Sequence, residues 1–224
     1  MLKKYLNNRL LILYVTPFIL GALTVFSFQP FNFTLINFFI LPIFFYLIVY
    51  IKKKSKSIYR KKPYKKNLLI FGTIFGFGFF LSGIFWITNS LTFDKNFKIL
   101  IPIALIIIPL FLGLFFGLTT LLIGPFLNLS FSSILIFSGA FAFSDFIRAK
   151  VLTGFPWNLW SYSFSWITEI IQILNLIGLF AFNLIIITLF TLPAIIFFNI
   201  NNIKKIFSLL FISLTFVFLY IYGS

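Results

Sequence analysis

Residues Ile99 to Ile123 read ILIPIALIIIPLFLGLFFGLTTLLI, a run of 25 residues without an ionisable side chain. A membrane-spanning helix needs about 20 mostly apolar residues, because each residue rises 1.5 Å through a hydrocarbon core roughly 30 Å thick. Backbone groups in lipid must be satisfied within the segment itself, which favours a helix. The run therefore predicts a transmembrane α-helix.

Six further runs of this kind fill most of the chain, which is 61% hydrophobic and 9% charged. They do not alternate apolar and polar residues as the strands of a membrane barrel would. The first run is longer than the apolar region of a typical signal peptide and lacks a small-residue cleavage site, so it is interpreted as a helix. We expect an all-α, polytopic helix bundle in one transmembrane domain, 1–224, without a soluble domain. The predicted spans are 10–28, 33–51, 68–91, 99–123, 131–147, 170–198 and 206–222.

The basic residues predict the orientation of these helices. With a cytoplasmic N-terminus, fourteen Lys and Arg fall inside and four fall outside, which agrees with the positive-inside rule. Seven spans then place the C-terminus in the periplasm. Nine of the inner residues lie between Lys52 and Lys66. A basic loop between membrane helices is favoured there over a nucleic-acid or anionic-lipid patch, and a lipid contact would be incidental.

The ionisable composition excludes several kinds of chemistry. The chain has no Cys and no His, so it supplies no thiol nucleophile, no imidazole base and no ordinary zinc site. We predict no metal and no cofactor. The carboxylates are Asp94, Asp145 and Glu169. Asp94 is expected to be solvated in a short outer loop.

Asp145 and Arg148 lie three residues apart near the end of the fifth span, a spacing that places both on one helical face. Charges at this depth are costly unless they are paired or face a cavity. A mutual ion pair is the favoured interpretation, and a direct substrate contact is the alternative.

Two pairs of glycines have the four-residue spacing that allows close approach of membrane helices: Gly72 with Gly76, and Gly113 with Gly117. Helix packing accounts for both pairs.

The most specific stretch is TGFPWNLWSY, from Thr153 to Tyr162. Gly and Pro shape a turn, and Trp and Tyr are suited to the headgroup boundary. Physical chemistry alone predicts an aromatic interfacial segment between the fifth and sixth helices.

The pattern of an acidic residue, Arg, TGFPW, Tyr162 and a hydrophobic helix with Gly178 resembles the membrane region of bacterial apolipoprotein N-acyltransferases. The aromatic and proline turn at Phe28 to Phe31, and the glycine-rich segment that ends at Trp86, agree with this resemblance. Two features depart from the family pattern. Asp145 stands where Glu is expected, and the nitrilase-like domain with its Glu, Lys and Cys triad is absent from these residues.

The resemblance implies acyl transfer from a phospholipid to the N-terminal amine of a lipoprotein precursor, in the bacterial inner membrane. The partners implied are membrane phospholipid, the lipoprotein precursor and a separate nitrilase-like catalytic chain, without nucleic acid. As a truncated product or part of a split enzyme, the chain alone is expected to be inactive. No catalytic residue is assigned. The resemblance implies substrate-binding roles for Asp145, Arg148, Thr153, Gly154, Phe155, Pro156, Trp157 and Tyr162.

A non-enzymatic lipid-binding or scaffold protein of the same fold is the alternative function. A transporter is the third possibility. It is disfavoured because transporters carry ionisable groups near the bilayer midplane, whereas the helix centres here have none.

Overall fold

The computed structural model describes residues 8–55, 62–151, 154, 156–198 and 201–224. These residues form helices and connecting turns, with no strand among them. The α-helices are, in chain order, α1 (Thr16–Thr24), α2 (Asn37–Lys54), α3 (Tyr64–Ile84), α4 (Ile101–Ile123), α5 (Phe131–Arg148), α6 (Thr168–Ile171), α7 (Leu174–Ile177), α8 (Leu179–Thr191) and α9 (Asn202–Gly223).

Short segments of other helical type extend several of these helices. A π-helical turn, Leu11–Val15, precedes α1. The 3₁₀ segments are Val25–Ser27, Thr34–Ile36, Phe85–Thr92, Lys95–Leu100, Trp160–Phe164 and Leu192–Phe197. Asp94 is exposed as expected, and its side chain caps the segment Lys95–Leu100 by accepting a hydrogen bond from the Asn96 N–H at 2.9 Å.

Six helical stretches among the described residues are long and apolar enough to cross a membrane: Thr34–Lys54, Tyr64–Thr92, Lys95–Ile123, Phe131–Arg148, Leu179–Phe197 and Lys205–Gly223. The predicted all-α membrane architecture is confirmed. The predicted first span corresponds to Leu11–Ser27, which is shorter than these six. The count of seven spans and the orientation of the termini remain predictions.

The structure divides the predicted span 170–198 into pieces. Gly178 has φ +77°, which ends α7 and begins α8, so the long helical stretch starts only at Leu179. Glycine adopts a positive φ without the steric penalty that a Cβ imposes. The short helices α6 and α7 therefore precede the spanning segment rather than belonging to it.

The described chain forms two compact units. Unit 1 comprises Met1–Val25 and Ile51–Gly124 and contains α1, α3 and α4. Unit 2 comprises Phe26–Tyr50 and Pro125–Ser224 and contains most of α2 together with α5 to α9.

Unit 1 packs through its glycines. A Cβ on Gly76 would lie 2.7 Å from the Gly113 Cα, and a Cβ on Gly72 would lie 2.9 Å from the Gly117 Cα. The two predicted glycine faces therefore meet, which confirms their role in helix packing. The Thr120 hydroxyl donates to the Leu68 carbonyl at 2.8 Å, so α3 and α4 also share a buried hydrogen bond.

Unit 2 packs through aromatic side chains. Phe44 and Phe45 of α2 contact Phe137 of α5 with ring centroids 6.0 and 5.6 Å apart. Phe190 of α8 contacts Phe38 at 4.9 Å, nearly perpendicular to it, and stacks on Phe164 at 5.7 Å. This core fixes α5 and α8, the two helices that supply the polar side chains of the candidate site.

Candidate functional site

A buried ion pair lies at the C-terminal end of α5. The Nη2 of Arg148 donates to the Oδ1 of Asp145 at 2.9 Å, and the side chains are 1% and 4% exposed. This is the mutual pair that the three-residue spacing predicts. A direct contact of either residue with a substrate stays a prediction.

Arg148 also holds the chain that follows α5. Its Nη1 donates to the main-chain carbonyl oxygen of Trp157 at 2.9 Å. The planar guanidinium presents donors in several directions, so one side chain can join a carboxylate and a carbonyl at once. The end of α5 is thereby connected to the segment that carries Trp157.

Asn183 of α8 completes the cluster, and the sequence analysis did not identify it. Its Nδ2 donates to the Oδ2 of Asp145 at 2.9 Å, and its Oδ1 accepts from the Ser161 N–H at 3.1 Å. Asn183 is fully buried. The sequence did contain a signal for Asn183: it is the one amide in the apolar helix LFAFNLIIITLFT. A buried amide needs hydrogen-bond partners, so its presence there indicates a polar contact with another segment.

These three side chains form one connected unit, which we call the α5–α8 clamp and define as Asp145, Arg148 and Asn183. Each carboxylate oxygen of Asp145 accepts a hydrogen bond from a different residue. The clamp fixes two main-chain positions of the following segment, Trp157 and Ser161. Its geometry suits it to holding that segment in place.

Replacing Asn183 by Leu is expected to destabilise the protein by about 2–3 kcal/mol, because the Asp145 Oδ2 and the Ser161 N–H would each lose a buried partner. The measurement is the free energy of unfolding in mixed detergent micelles. Thr188→Val in the same helix is the matched control: the Thr188 hydroxyl is exposed and bonds only locally to the Leu184 carbonyl. A loss in the control as large as that of Asn183→Leu would show that the clamp adds nothing.

The segment held by the clamp carries one half-exposed and one buried Trp side chain. Trp157 is 48% exposed, whereas Trp160 is 1% exposed. Pro156 and Tyr162 are partly exposed. Burial raises the pKa of the Tyr162 phenol, and the nearby Arg148 charge partly opposes that shift. Within the predicted aromatic belt, Trp157 therefore lies at the protein surface, and Trp160 anchors the segment to the protein.

The chain on either side of Trp157 contains two residues with a positive φ, Gly154 and Asn158. Gly154 has φ +86°, and a Cβ there would collide with the Ala149 carbonyl oxygen. Asn158 has φ +55°. The predicted site residues Thr153 and Phe155 lie outside the described residues.

A second connection reaches the turn after the first helix. The Thr34 hydroxyl donates to the Ser163 carbonyl at 2.6 Å and accepts from the Trp166 Nε1–H at 3.0 Å. Trp166 is 47% exposed. Within unit 2, the Trp157 to Trp166 segment is thus tied to α5, to α8 and to the segment that leads into α2.

The family model for the apolipoprotein N-acyltransferase N-terminal domain matches residues 20–192. The chain belongs to the apolipoprotein N-acyltransferase family. The matched range contains the whole α5–α8 clamp and the segment that it holds, and the resemblance drawn from TGFPW is confirmed.

Curated relatives named apolipoprotein N-acyltransferase support the same assignment. The relative from Brucella melitensis is 29% identical over 187 residues, which cover 81% of this chain and 34% of the relative. The Rhodopseudomonas palustris relative is 29% identical over 85% of this chain and 35% of its own length. The Rickettsia typhi relative is 33% identical over 78% of this chain and 33% of its own length. The chain spans about a third of the length of these relatives and corresponds to the membrane part of the family.

Proposed function

We propose that this chain is the lipid-binding membrane part of an apolipoprotein N-acyltransferase in the bacterial inner membrane. In this role it positions a phospholipid acyl donor and a diacylglyceryl lipoprotein precursor for N-acylation. The observation that carries the proposal is the α5–α8 clamp, which fixes the Trp157 main chain at the end of a spanning helix while its indole stays half exposed.

The physical argument begins with the exposed indoles. Trp157 and Trp166 are each nearly half exposed and lie on the same segment. Trp side chains favour the headgroup level of a bilayer, where their apolar rings and polar N–H groups are both accommodated. Both proposed substrates are lipids whose reactive groups lie at that level. A rigid aromatic segment there would hold them in a defined orientation, which is how positioning contributes to a reaction rate.

The acyl-transfer chemistry requires groups that these residues do not contain. The chain has neither Cys nor His, and both carboxylate oxygens of Asp145 are already hydrogen-bonded. We assign the nucleophile and base to a nitrilase-like part, and we assign substrate positioning to Arg148, Gly154, Pro156, Trp157 and Tyr162. The lipid-scaffold alternative shares the fold but would not select a diacylglyceryl lipopeptide.

Site-specific crosslinking tests the proposal. A photoreactive benzoylphenylalanine at position 157 is expected to crosslink a biotinylated diacylglyceryl-cysteine peptide in lipid nanodiscs. The clamp should survive this substitution, because Arg148 binds the main-chain carbonyl of residue 157. The matched control is the same probe at Phe131, which is 51% exposed at the opposite end of α5.

The expected result is a crosslink at position 157 that unlabelled lipopeptide competes away and that diacylglycerol alone leaves intact. Equal yields at positions 157 and 131 would contradict the proposal. Competition by diacylglycerol as strong as that by the lipopeptide would favour the scaffold alternative.

A further inference from the structure

The indole of Trp166 is held by a hydrogen bond to a buried side chain of unit 2. Its Nε1–H donates to the Thr34 hydroxyl at 3.0 Å, and that hydroxyl donates to the Ser163 carbonyl at 2.6 Å. Thr34 is 4% exposed, so water competes little for its hydroxyl, whereas Trp166 is 47% exposed. The indole is therefore fixed in orientation while much of the residue stays at the protein surface.

The bond to Thr34 determines what the exposed part of this indole can bind. An indole has one polar group, its N–H, which acts only as a donor. At a membrane interface a Trp side chain usually places this N–H at the polar side and its ring at the apolar side. In Trp166 the N–H is bonded to a buried hydroxyl, so the ring surface that remains outside consists of carbon and hydrogen. Such a surface fits a hydrocarbon chain better than a polar headgroup.

The residues around Thr34 also favour a lipid chain. Thr34 begins the stretch Thr34–Lys54, which is long and apolar enough to cross a membrane. Phe33 and Leu35, the residues on either side of Thr34, are 64% and 73% exposed. The bond to Thr34 therefore places the Trp166 indole at the end of a spanning stretch, next to further exposed apolar residues.

The nearest charged residue along the chain favours one of the two proposed lipid substrates. Glu169 lies three residues after Trp166, a separation that keeps the two Cα atoms within about 11 Å. Its carboxylate accepts a hydrogen bond from the Thr168 hydroxyl at 3.3 Å. A carboxylate repels a phosphate group but not an uncharged glyceryl group. A phospholipid carries phosphate beside its acyl chains, whereas the diacylglyceryl group of a lipoprotein precursor is uncharged.

We propose that Trp166, oriented by Thr34, binds an acyl chain of the diacylglyceryl group on the lipoprotein precursor. The inference rests on the proposed function, from which this substrate is taken, and adds a contact apart from Trp157. Thr34 acts through the indole and is a positioning residue. It removes rotational freedom that Trp166 would otherwise lose when the acyl chain binds.

Fluorescence quenching of the full chain in lipid nanodiscs tests the proposal. The probe is a diacylglyceryl-cysteine peptide with bromine on the acyl carbons nearest the glycerol, because bromine quenches an indole only at close range. The emission that native protein has and Trp166→Phe lacks reports on Trp166. Added probe should quench this emission to saturation, and an excess of unbrominated lipopeptide should restore it.

Two substitutions at Thr34 test its positioning role. Thr34→Val removes the hydroxyl at nearly constant volume. It should raise the probe concentration for half-maximal quenching by about twofold to tenfold, because a freed indole must be ordered on binding. Thr34→Ser keeps the hydroxyl and should match the native protein. The comparison of native protein with Trp166→Phe applies even if Thr34→Val fails to fold.

Trp86 is the matched control for general contact with lipid. It is 43% exposed, and its Nε1–H donates to the Gly83 carbonyl at 3.1 Å, so its N–H is also bonded within the protein. Trp86 belongs to unit 1, whereas Thr34 and Trp166 belong to unit 2. The probe should quench Trp86 weakly and without saturation. Brominated phosphatidylcholine in the same amount should do the same at both residues.

Other results would overturn the inference. Equal quenching of Trp86 and Trp166 by the probe, or equal quenching of Trp166 by the probe and by brominated phosphatidylcholine, would identify ordinary lipid contact. Restoration of the emission by glycerophosphoethanolamine, which has a headgroup but no acyl chain, would identify a headgroup site. A crosslink at position 157 without quenching of Trp166 would overturn this inference alone, whereas loss of both signals would also contradict the proposed function.

Discussion

Arg148→Gln is expected to destabilise the protein by about 3–5 kcal/mol, the loss that follows when a buried ion pair is broken by removing one partner. The side chains of Arg148 and Asp145 are 1% and 4% exposed, so water cannot replace the missing guanidinium. The substitution also removes the donor to the Trp157 carbonyl. The free energy of unfolding in mixed detergent micelles measures the loss, and the crosslink at position 157 should disappear with it.

Two further variants separate the contributions to this loss. Arg148→Lys keeps the charge but lacks the planar fork, so it should preserve part of the ion pair and lose the contact to Trp157. Asp145→Asn combined with Arg148→Gln leaves no unpaired charge and should be less destabilised than the sum of the single variants. Additive effects in this double-mutant cycle would show that the two side chains act independently, against the geometry of the clamp.

Hydropathy predicted the all-α membrane architecture because lipid leaves the backbone few alternatives to a helix. It failed at Gly178, where the apolar run continues but the helix does not. A positive φ depends on the local backbone, and leucine-rich residues on both sides conceal it from a hydropathy profile. The region before α8 therefore appeared in the sequence as part of one long span.

The site was predictable as far as its interactions are local. Asp145 and Arg148 are three residues apart, so helical geometry alone brings them together. Asn183 reaches Asp145 across 38 positions, and Arg148 binds a main-chain carbonyl that no side-chain motif records. Those contacts depend on how α5 and α8 pack, which residue spacing within one helix does not determine.

In unit 1, too, residue spacing within one helix did not determine which helices pack together. The pairs Gly72 with Gly76 and Gly113 with Gly117 predicted two faces suited to close approach, but not that each face would meet the other. The structure shows which glycine each one faces, and these close contacts allow the loss of stability on substitution to be estimated.

Gly76→Ala combined with Gly113→Ala is expected to destabilise unit 1 by about 2–6 kcal/mol, because overpacking costs about 1–3 kcal/mol at each of the two sites. A Cβ on Gly76 would lie 2.7 Å from the Gly113 Cα, and a Cβ on Gly113 would lie 2.8 Å from the Phe77 nitrogen and the Thr73 oxygen. These neighbours are backbone atoms, so relief requires α3 and α4 to move apart. That movement would strain the hydrogen bond from Thr120 to Leu68.

Gly139→Ala is the matched control for this prediction, since Gly139 also lies within a spanning helix but a Cβ there has no neighbour within 4 Å. Alanine favours a helix by up to about 1 kcal/mol over glycine, so this variant should unfold at the same or slightly higher denaturant. The double variant and the control should therefore differ in the sign of their effect, although every substituted glycine in them gains the same methyl group. Similar losses in both would mean that glycine supports these helices through flexibility, whereas opposite signs would show that close backbone contact holds α3 against α4.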